Sequence, residues 1–128
     1  MPEPERWPAS PGMLDKHFFG NSAGNARPTR YFAAVEYNYG KAAGAEDFCR
    51  KAQLLNIEVN KAMYEGWQHH LWNDASGILT WMSQSAYPSF VWQTYDYYYD
   101  LNGAYWGVRK ACEPLHIQWS YADNTVKV

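Results

Sequence analysis

The sequence predicts an α/β fold of which only one part is contained in the chain. Three observations indicate it: a long amphipathic helix from Ala45 to about Leu71, a turn cluster after it, and a continuous apolar run from Ile78 to Met82. Such a run without polar alternation is typical of a strand covered on both faces, as in a parallel sheet. Since one strand cannot form a sheet and no series of similar strands follows, we expect its neighbours to lie outside this chain.

The first thirty residues predict a loop with, at most, short turns. Proline removes a helix donor and glycine raises the entropy of the unfolded chain, so both interrupt regular structure. The interrupting residues are Pro2, Pro4, Pro8, Pro11, Gly12, Gly20, Gly24 and Pro28.

Two helices are predicted next. The first has Pro28 in its opening turn, a position that proline favours, and stops at Gly40. The second carries acidic residues, Glu46 and Asp47, at the positive end of its dipole, and Asp47 can pair with Lys51 one turn on. Its apolar stripe recurs at spacings of three and four residues and comprises Phe48, Ala52, Leu55, Val59, Ala62, Met63 and Gly66.

The last forty residues predict a short helix followed by two strands. After a turn at Asn102-Gly103, helical spacing runs from Ala104 to about Cys112 and ends before Pro114. His116 to Tyr121 then alternates like a half-buried antiparallel strand, and Thr125 to Val128 begins its partner after a turn at Asp123-Asn124. The change of pattern near Leu115 predicts a domain boundary, with residues 1–114 before it and 115–128 after it.

Composition and charge exclude several classes of function. The net charge is −2, and the sequence has no basic stripe with interleaved aromatic residues. A nucleic-acid partner is therefore not predicted. The apolar runs are far shorter than the ~20 residues of a membrane span, and the segment MPEPERWPASPG has no signal-like apolar core. We therefore expect a soluble chain with no targeting signal of its own. Its two cysteines, Cys49 and Cys112, are expected to be free, buried thiols.

No cofactor or metal site is predicted. The four histidines are scattered, and the adjacent His69 and His70 point in different directions on a helix. They predict a solvated or locally bonded helix end. Neither a nucleophile elbow nor a glycine-rich phosphate loop occurs.

Aromatic residues and one carboxylate remain as candidates for chemistry. The chain has seven Trp, eleven Tyr and five Phe, and rings of this kind serve a core, an interface or a binding surface. Asp96 lies among them and either fixes a loop by hydrogen bonds or contacts a sugar directly. The rings that either line a sugar pocket or pack in a core are Trp81, Tyr87, Trp92, Tyr95 and Tyr97.

The segment SGILTWMSQSAYPSFVWQTYDYYYDLNGAYWGVRKACEPLHIQ, residues 76–118, resembles the end of the barrel domain in family 2 glycoside hydrolases, especially exo-β-glucosaminidases and β-mannosidases. The segment DFCRKAQ, residues 47–53, is also similar to theirs. The residues that match the family pattern are Gly77, Trp81, Met82, Pro88, Ser89, Trp92, Gln93, Tyr95, Asp96, Tyr97, Tyr98, Gly103, Ala104, Tyr105, Gly107, Lys110, Ala111, Glu113, Pro114, Leu115, His116, Ile117 and Gln118.

This resemblance implies the last helix–strand–helix units of a (β/α)8 barrel running into a short antiparallel segment of the next β-sandwich. Ile78 to Met82 would be the eighth strand, and substrate sites lie at the carboxyl ends of barrel strands. The resemblance thus implies a carbohydrate partner, bound by residues Trp81, Gln84, Tyr87, Trp92, Tyr95 and Asp96.

The same resemblance implies a retaining, exo-acting hydrolase that cleaves terminal β-linked glucosamine, mannose or galactose. Retaining glycosidases need two carboxylates about 5 Å apart, and in this family both would precede Met1. We therefore expect the chain alone to be inactive. Tyr87 stands where the family has Trp, and Gln84-Ser85 replaces a common Asn pair. Both differences concern which sugar the enzyme accepts. Relatives are typically secreted, periplasmic or lysosomal.

Two alternatives remain open at this point. The chain is either a stand-alone carbohydrate-binding module that uses the aromatic block, or a truncated, non-catalytic interaction protein. An unpaired parallel strand also predicts self-association through the barrel edge.

Overall fold

A computed structural model describes residues 28–89 and 93–128. Within these ranges the chain forms three helices, α1 (Pro28–Tyr39), α2 (Ala45–His69) and α3 (Gly103–Ala111). Two short strands follow, β1 (Gln118–Ser120) and β2 (Thr125–Lys127). The predicted N-terminal loop lies almost entirely outside the described residues.

The core lies between α1 and the first half of α2. Val35 is 1% exposed and packs in a cluster with Phe48, Ala52 and Leu55. The rings of Phe32 and Phe48 stack with centroids 4.4 Å apart. The cluster arises because apolar residues at threes and fours put one stripe of each helix against the other. Both predicted helices are confirmed.

The hydroxyl of Tyr31 joins the same two helices. It donates a hydrogen bond to the carbonyl oxygen of Ala52 at 3.0 Å. Burial raises the pKa of the Tyr31 phenol to about 12, because the low-dielectric surroundings disfavour the phenolate. Gly40 follows α1 with a φ of +76°, a left-handed conformation that glycine adopts at little cost and that ends the helix as predicted.

Small residues bring α3 against α2. A Cβ atom on Gly103 would collide with the carbonyl oxygen of Gln53, and one on Gly107 with that of Ile57. The amide of Gly103 donates to Gln53 Oε1 at 2.6 Å. The two backbones therefore approach more closely than any larger residue would allow.

The predicted turn at Asn102-Gly103 is instead the start of α3. The side-chain oxygen of Asn102 accepts hydrogen bonds from the amides of Ala104 and Tyr105 at 3.0 and 3.4 Å. Asparagine is a favoured N-cap because its oxygen satisfies amides that have no partner within the helix. The same residue type favours turns, which explains the error.

The predicted strand Ile78–Met82 is wrong for this chain. The described sheet consists of β1 and β2 alone, Leu79 is fully exposed and Trp81 is 83% exposed. A strand needs a neighbour to complete its hydrogen bonds, and within residues 28–89 and 93–128 none lies beside this segment. The turn predicted before it is present, with a backbone bond from Trp72 N–H to Ala75 C=O at 2.7 Å.

The C-terminal hairpin is confirmed, with strands shorter than predicted. Gln118 pairs with Lys127 and Ser120 with Thr125 in antiparallel register. The turn contains Asn124 at a φ of +54°, a conformation that asparagine tolerates. The hairpin packs on α2, where Gln118 Nε2 donates to the Glu65 carbonyl oxygen at 3.0 Å.

The structure also bears on the two cysteines and on the prediction that the chain has no membrane span. Both cysteines are free as predicted, but Cys49 is half-buried and Cys112 is exposed rather than buried. Burial raises the pKa of the Cys49 thiol because desolvation disfavours the thiolate. None of the described helices has the length and apolar character required to cross a membrane.

Candidate functional site

Two loop segments meet between the second half of α2 and helix α3. The amides of Thr94 and Tyr95 both donate to the carbonyl oxygen of Ser83 at 3.0 Å. The two loop segments border an apolar cavity of about 270 Å³ whose walls include Tyr64, Tyr95 and Tyr105. The hydroxyl of Tyr64 lies 2.6 Å from Thr80 Oγ1. The two loop segments are therefore held to each other, and the first of them to α2, by defined contacts.

The structure brings three of the six predicted binding residues together. Gln84 Nε2 donates to the Asp96 carbonyl oxygen at 3.5 Å, and Tyr95 precedes Asp96 on the cavity wall. Trp81 is 83% exposed and Tyr87 is 50% exposed, so both rings present faces to solvent. Trp92 lies outside the described residues.

Asp96 organises the loop that follows it. Its Oδ1 accepts hydrogen bonds from the amides of Tyr98 and Asp100 at 2.8 and 2.9 Å. Its own amide donates to the Asp100 carbonyl oxygen at 3.0 Å, and its carbonyl oxygen accepts from Tyr99 N–H at 3.1 Å. This is the loop-fixing arrangement that the sequence left open beside direct sugar contact.

The loop presents three consecutive tyrosines. Tyr97, Tyr98 and Tyr99 are 41%, 70% and 74% exposed, and the first two meet edge to face at 5.2 Å. Only Tyr97 was a candidate from the sequence. The composition of the segment, YDYYYD, was the available signal for the other two, since tyrosine and aspartate in a loop carry both flat apolar faces and hydrogen-bonding groups.

Asn102 and Gln93 anchor the other end of this region. Asn102 Nδ2 donates to the Gln93 carbonyl oxygen at 2.6 Å, and the Asn102 amide reaches the Thr94 carbonyl oxygen at 3.4 Å. Because Asn102 also caps α3, one side chain connects the loop to the helix. The loop therefore takes its position from α3.

Several described carboxylates already have structural partners. Asp47 Oδ2 lies 2.9 Å from Lys51 Nζ, and the hydrogen bonds from Lys51 and the Ala43 amide lower the Asp47 pKa. Glu113 Oε2 lies 2.7 Å from Lys110 Nζ, and this bond lowers the Glu113 pKa. These pairs stabilise the ionised forms, so neither carboxylate is poised to donate a proton.

Two histidine–carboxylate contacts between α2 and the C-terminal segment were missed in the sequence. His69 is 8% exposed, and its Nε2 lies 2.9 Å from Asp123 Oδ2. His116 Nε2 lies 2.7 Å from Glu65 Oε1, which also pairs with Lys61. The partners are more than fifty residues apart along the chain, so local spacing holds no signal for them. Within the described ranges, no three His, Cys, Asp or Glu side chains are grouped to hold a metal ion.

Several relatives are similar to this chain, although no protein-family model matches it. It is 42% identical over 101 residues to an exo-β-D-glucosaminidase of Streptomyces avermitilis, covering 77% of this chain and 11% of that protein. It is 42% identical over 98 residues to an exo-β-D-glucosaminidase of Amycolatopsis orientalis, covering 74% and 10%. A mannosylglycoprotein endo-β-mannosidase of Lilium longiflorum is 36% identical over 90 residues, covering 70% and 9%.

The fold is similar to part of a solved enzyme structure. The exo-chitosanase CsxA of Amycolatopsis orientalis matches with a TM-score of 0.78 and 35% identity, over 91% of this chain and 14% of that one. This chain thus spans about a tenth of the length of the curated relatives it matches. The resemblance drawn from the motifs is confirmed over this segment.

Proposed function

Since the chain is homologous to one segment of family 2 glycoside hydrolases, we propose that it forms part of a retaining, exo-acting glycosidase. That enzyme cleaves terminal β-linked sugars of the glucosamine, mannose or galactose type. The relatives named exo-β-D-glucosaminidase favour glucosamine. In this proposal residues 1–114 end the barrel and residues 115–128 begin the next domain.

One observation carries the proposal. A chain of 128 residues keeps the fold of a segment of a much larger glycosidase, at a TM-score of 0.78, while its predicted eighth strand has no neighbour among the described residues. A complete barrel needs about 250 residues. Leu79, exposed here, is therefore positioned for cover by strands that other polypeptide supplies.

The predicted binding residues supply part of the wall of the sugar pocket. Trp81 and Tyr87 offer exposed ring faces, which suit the apolar C–H face of a sugar. Gln84, Tyr95 and Trp92 complete the wall in this proposal, and Asp96 holds the loop that carries Tyr95. Binding sites of this kind combine apolar walls with few polar groups.

The acid/base and the nucleophile come from elsewhere in the enzyme. Among the described residues, Asp47, Glu65, Glu113 and Asp123 have basic partners, and one oxygen of Asp96 holds two amides. Retention requires two carboxylates about 5 Å apart flanking the sugar bond. In this proposal the segment shapes the pocket, and the proton transfer and the nucleophilic attack belong to carboxylates outside it.

The test is a chimera in which this chain replaces the matching segment of the Amycolatopsis exo-chitosanase. We expect hydrolysis of an aryl β-glucosaminide by the chimera and none by the 128-residue chain alone. Trp81→Ala in the chimera should reduce kcat/KM at least tenfold, whereas Trp72→Ala, at an equally exposed ring (83%), should not. A folded but inactive chimera, or turnover by the chain alone, would contradict the proposal.

A second candidate is self-association through the uncovered apolar surface. Val59, Met63 and Trp67 recur every four residues on α2 and are 56%, 44% and 51% exposed. Apolar surface of this kind marks an interaction site or an association hazard. Light scattering of the purified chain tests it, and a monomer at every concentration would contradict it.

A further inference from the structure

We propose that Tyr97, Tyr98 and Tyr99 form a rigid platform that binds a glucosamine unit of a β-linked oligosaccharide. The platform lies beyond the six residues assigned to the pocket wall. Its ligand class rests on the proposed function, whereas its existence rests on the geometry of residues 95–101.

The loop is held in one conformation before any ligand binds. Asp96 Oδ1 accepts two backbone amides at 2.8 and 2.9 Å, and Tyr95 and Leu101 form an antiparallel bridge across the loop base. Binding to an ordered surface loses less conformational entropy than binding to a mobile one. Tyrosine adds large contact area with only two side-chain torsions, which is why binding loops favour it.

The backbone of Tyr99 indicates a role other than packing. Its φ is +68°, in the left-handed region, which is unfavourable for a residue with a side chain. Yet the side chain is 74% exposed, so little burial of the ring offsets the cost. The hydrogen bond from Tyr99 N–H to the Asp96 carbonyl oxygen at 3.1 Å holds the conformation. Strained residues of this kind cluster at ligand sites.

Charge selects the class of sugar. Asp100 is exposed and directly follows the three tyrosines in the chain, and the sequence has no Lys or Arg between Lys61 and Arg109. Arg109 itself lies over the Trp106 ring at 5.4 Å. A carboxylate attracts an ammonium group by direct charge, and tyrosine faces attract it by cation–π interaction. The amine of glucosamine provides such a group and an N-acetylated sugar does not.

The experiment is calorimetric titration of the full 128-residue chain with the trisaccharide of β-linked glucosamine. Tyr98→Ala and Tyr99→Asn should each weaken binding roughly threefold to tenfold, and Asn tolerates the left-handed backbone. Tyr98→Phe should bind like wild type because it keeps the ring. The matched control is Tyr37→Ala, at a 90% exposed tyrosine on α1, which should change nothing.

Two further arms test the charge. Asp100→Asn should weaken binding of the glucosamine trisaccharide but leave binding of the N-acetylated trisaccharide unchanged. No saccharide binding at all, or equal losses in Tyr98→Ala and Tyr37→Ala, would overturn the platform. Hydrolysis by the chimera is measured separately. An active chimera whose loop binds no saccharide would contradict the platform proposal and leave the proposed function standing.

Discussion

The two halves of helix α2 carry one continuous apolar stripe but have different surroundings. In the first half Phe48, Ala52 and Leu55 are 7–8% exposed against α1. In the second half Val59 and Met63 are 56% and 44% exposed. An amphipathic pattern thus identifies a face that needs cover, but it does not say whether the covering residues belong to the same chain.

The same difference separates two other regions of the chain. Helices α2 and α3 meet closely at Gly103 and Gly107, while Leu79 and Trp81 lie open. Both regions are apolar in sequence, so composition does not distinguish them. The distinction lies in the partner each region finds within the described residues.

The largest effect on stability is expected at the covered half. Phe48→Ala removes a buried ring stacked on Phe32 and should lower the free energy of unfolding by about 3–5 kcal/mol. Val59→Ala, on the open half of the same stripe, should change it by about 0.5 kcal/mol or less. Urea unfolding followed by circular dichroism measures both. Equal losses would mean that the two halves do not differ as described.

The next effect is expected at the contact between α2 and α3. Gly107→Ala places a methyl group against the Ile57 carbonyl oxygen and should destabilise the chain by about 1–3 kcal/mol. Gly66→Ala is the matched control, because a Cβ there meets nothing within 4 Å. It should stabilise the helix by about 0.5–1 kcal/mol. Opposite signs in thermal unfolding are the expected result, and destabilisation by both would contradict the packing.

A smaller, pH-dependent effect is expected where the hairpin meets α2. Hydrogen bonds from Ser120, Thr125 and His69 hold the Asp123 pKa well below its usual range. A lowered folded-state pKa stabilises the fold above the unfolded pKa of about 4, and this stabilisation is lost as the pH falls through the folded value. Wild type should therefore exceed Asp123→Asn in unfolding free energy at pH 6, with the gap closing below about pH 4. A gap that widens in acid would contradict this.

The smallest effect on stability is expected at the open half. The double variant Val59→Lys, Met63→Lys should leave the free energy of unfolding within about 0.5 kcal/mol of wild type. It should, however, reduce any self-association seen by light scattering, because charge on an exposed apolar face opposes contact between copies. The matched control is Glu36→Lys, an exposed position on α1, which should leave association unchanged.

Elements with local signals were predictable from the sequence. Helix α1 ends before Gly40, α3 ends before Pro114, and the hairpin turns at Asn124, each for a reason visible within a few residues. The prediction of a strand at Ile78–Met82 was wrong because a strand depends on neighbours that its own sequence does not specify.

The candidate site divides in the same way. Asp96 was singled out because it lies among aromatic residues, and its loop-fixing hydrogen bonds are short-range. The contact between His69 and Asp123 joins residues 54 positions apart, so no local pattern indicates it. The left-handed backbone of Tyr99 was also hidden, because that conformation favours Gly and Asn.

The most direct test compares amide hydrogen exchange in the isolated chain with exchange in the exo-chitosanase chimera. We predict slow exchange at Phe48 to Leu55 in both proteins. At Ile78 to Met82 we predict fast exchange in the isolated chain and strong protection in the chimera, where neighbouring strands are supplied. Protection of Ile78 to Met82 in the monomeric isolated chain, or continued fast exchange in an active chimera, would contradict the account.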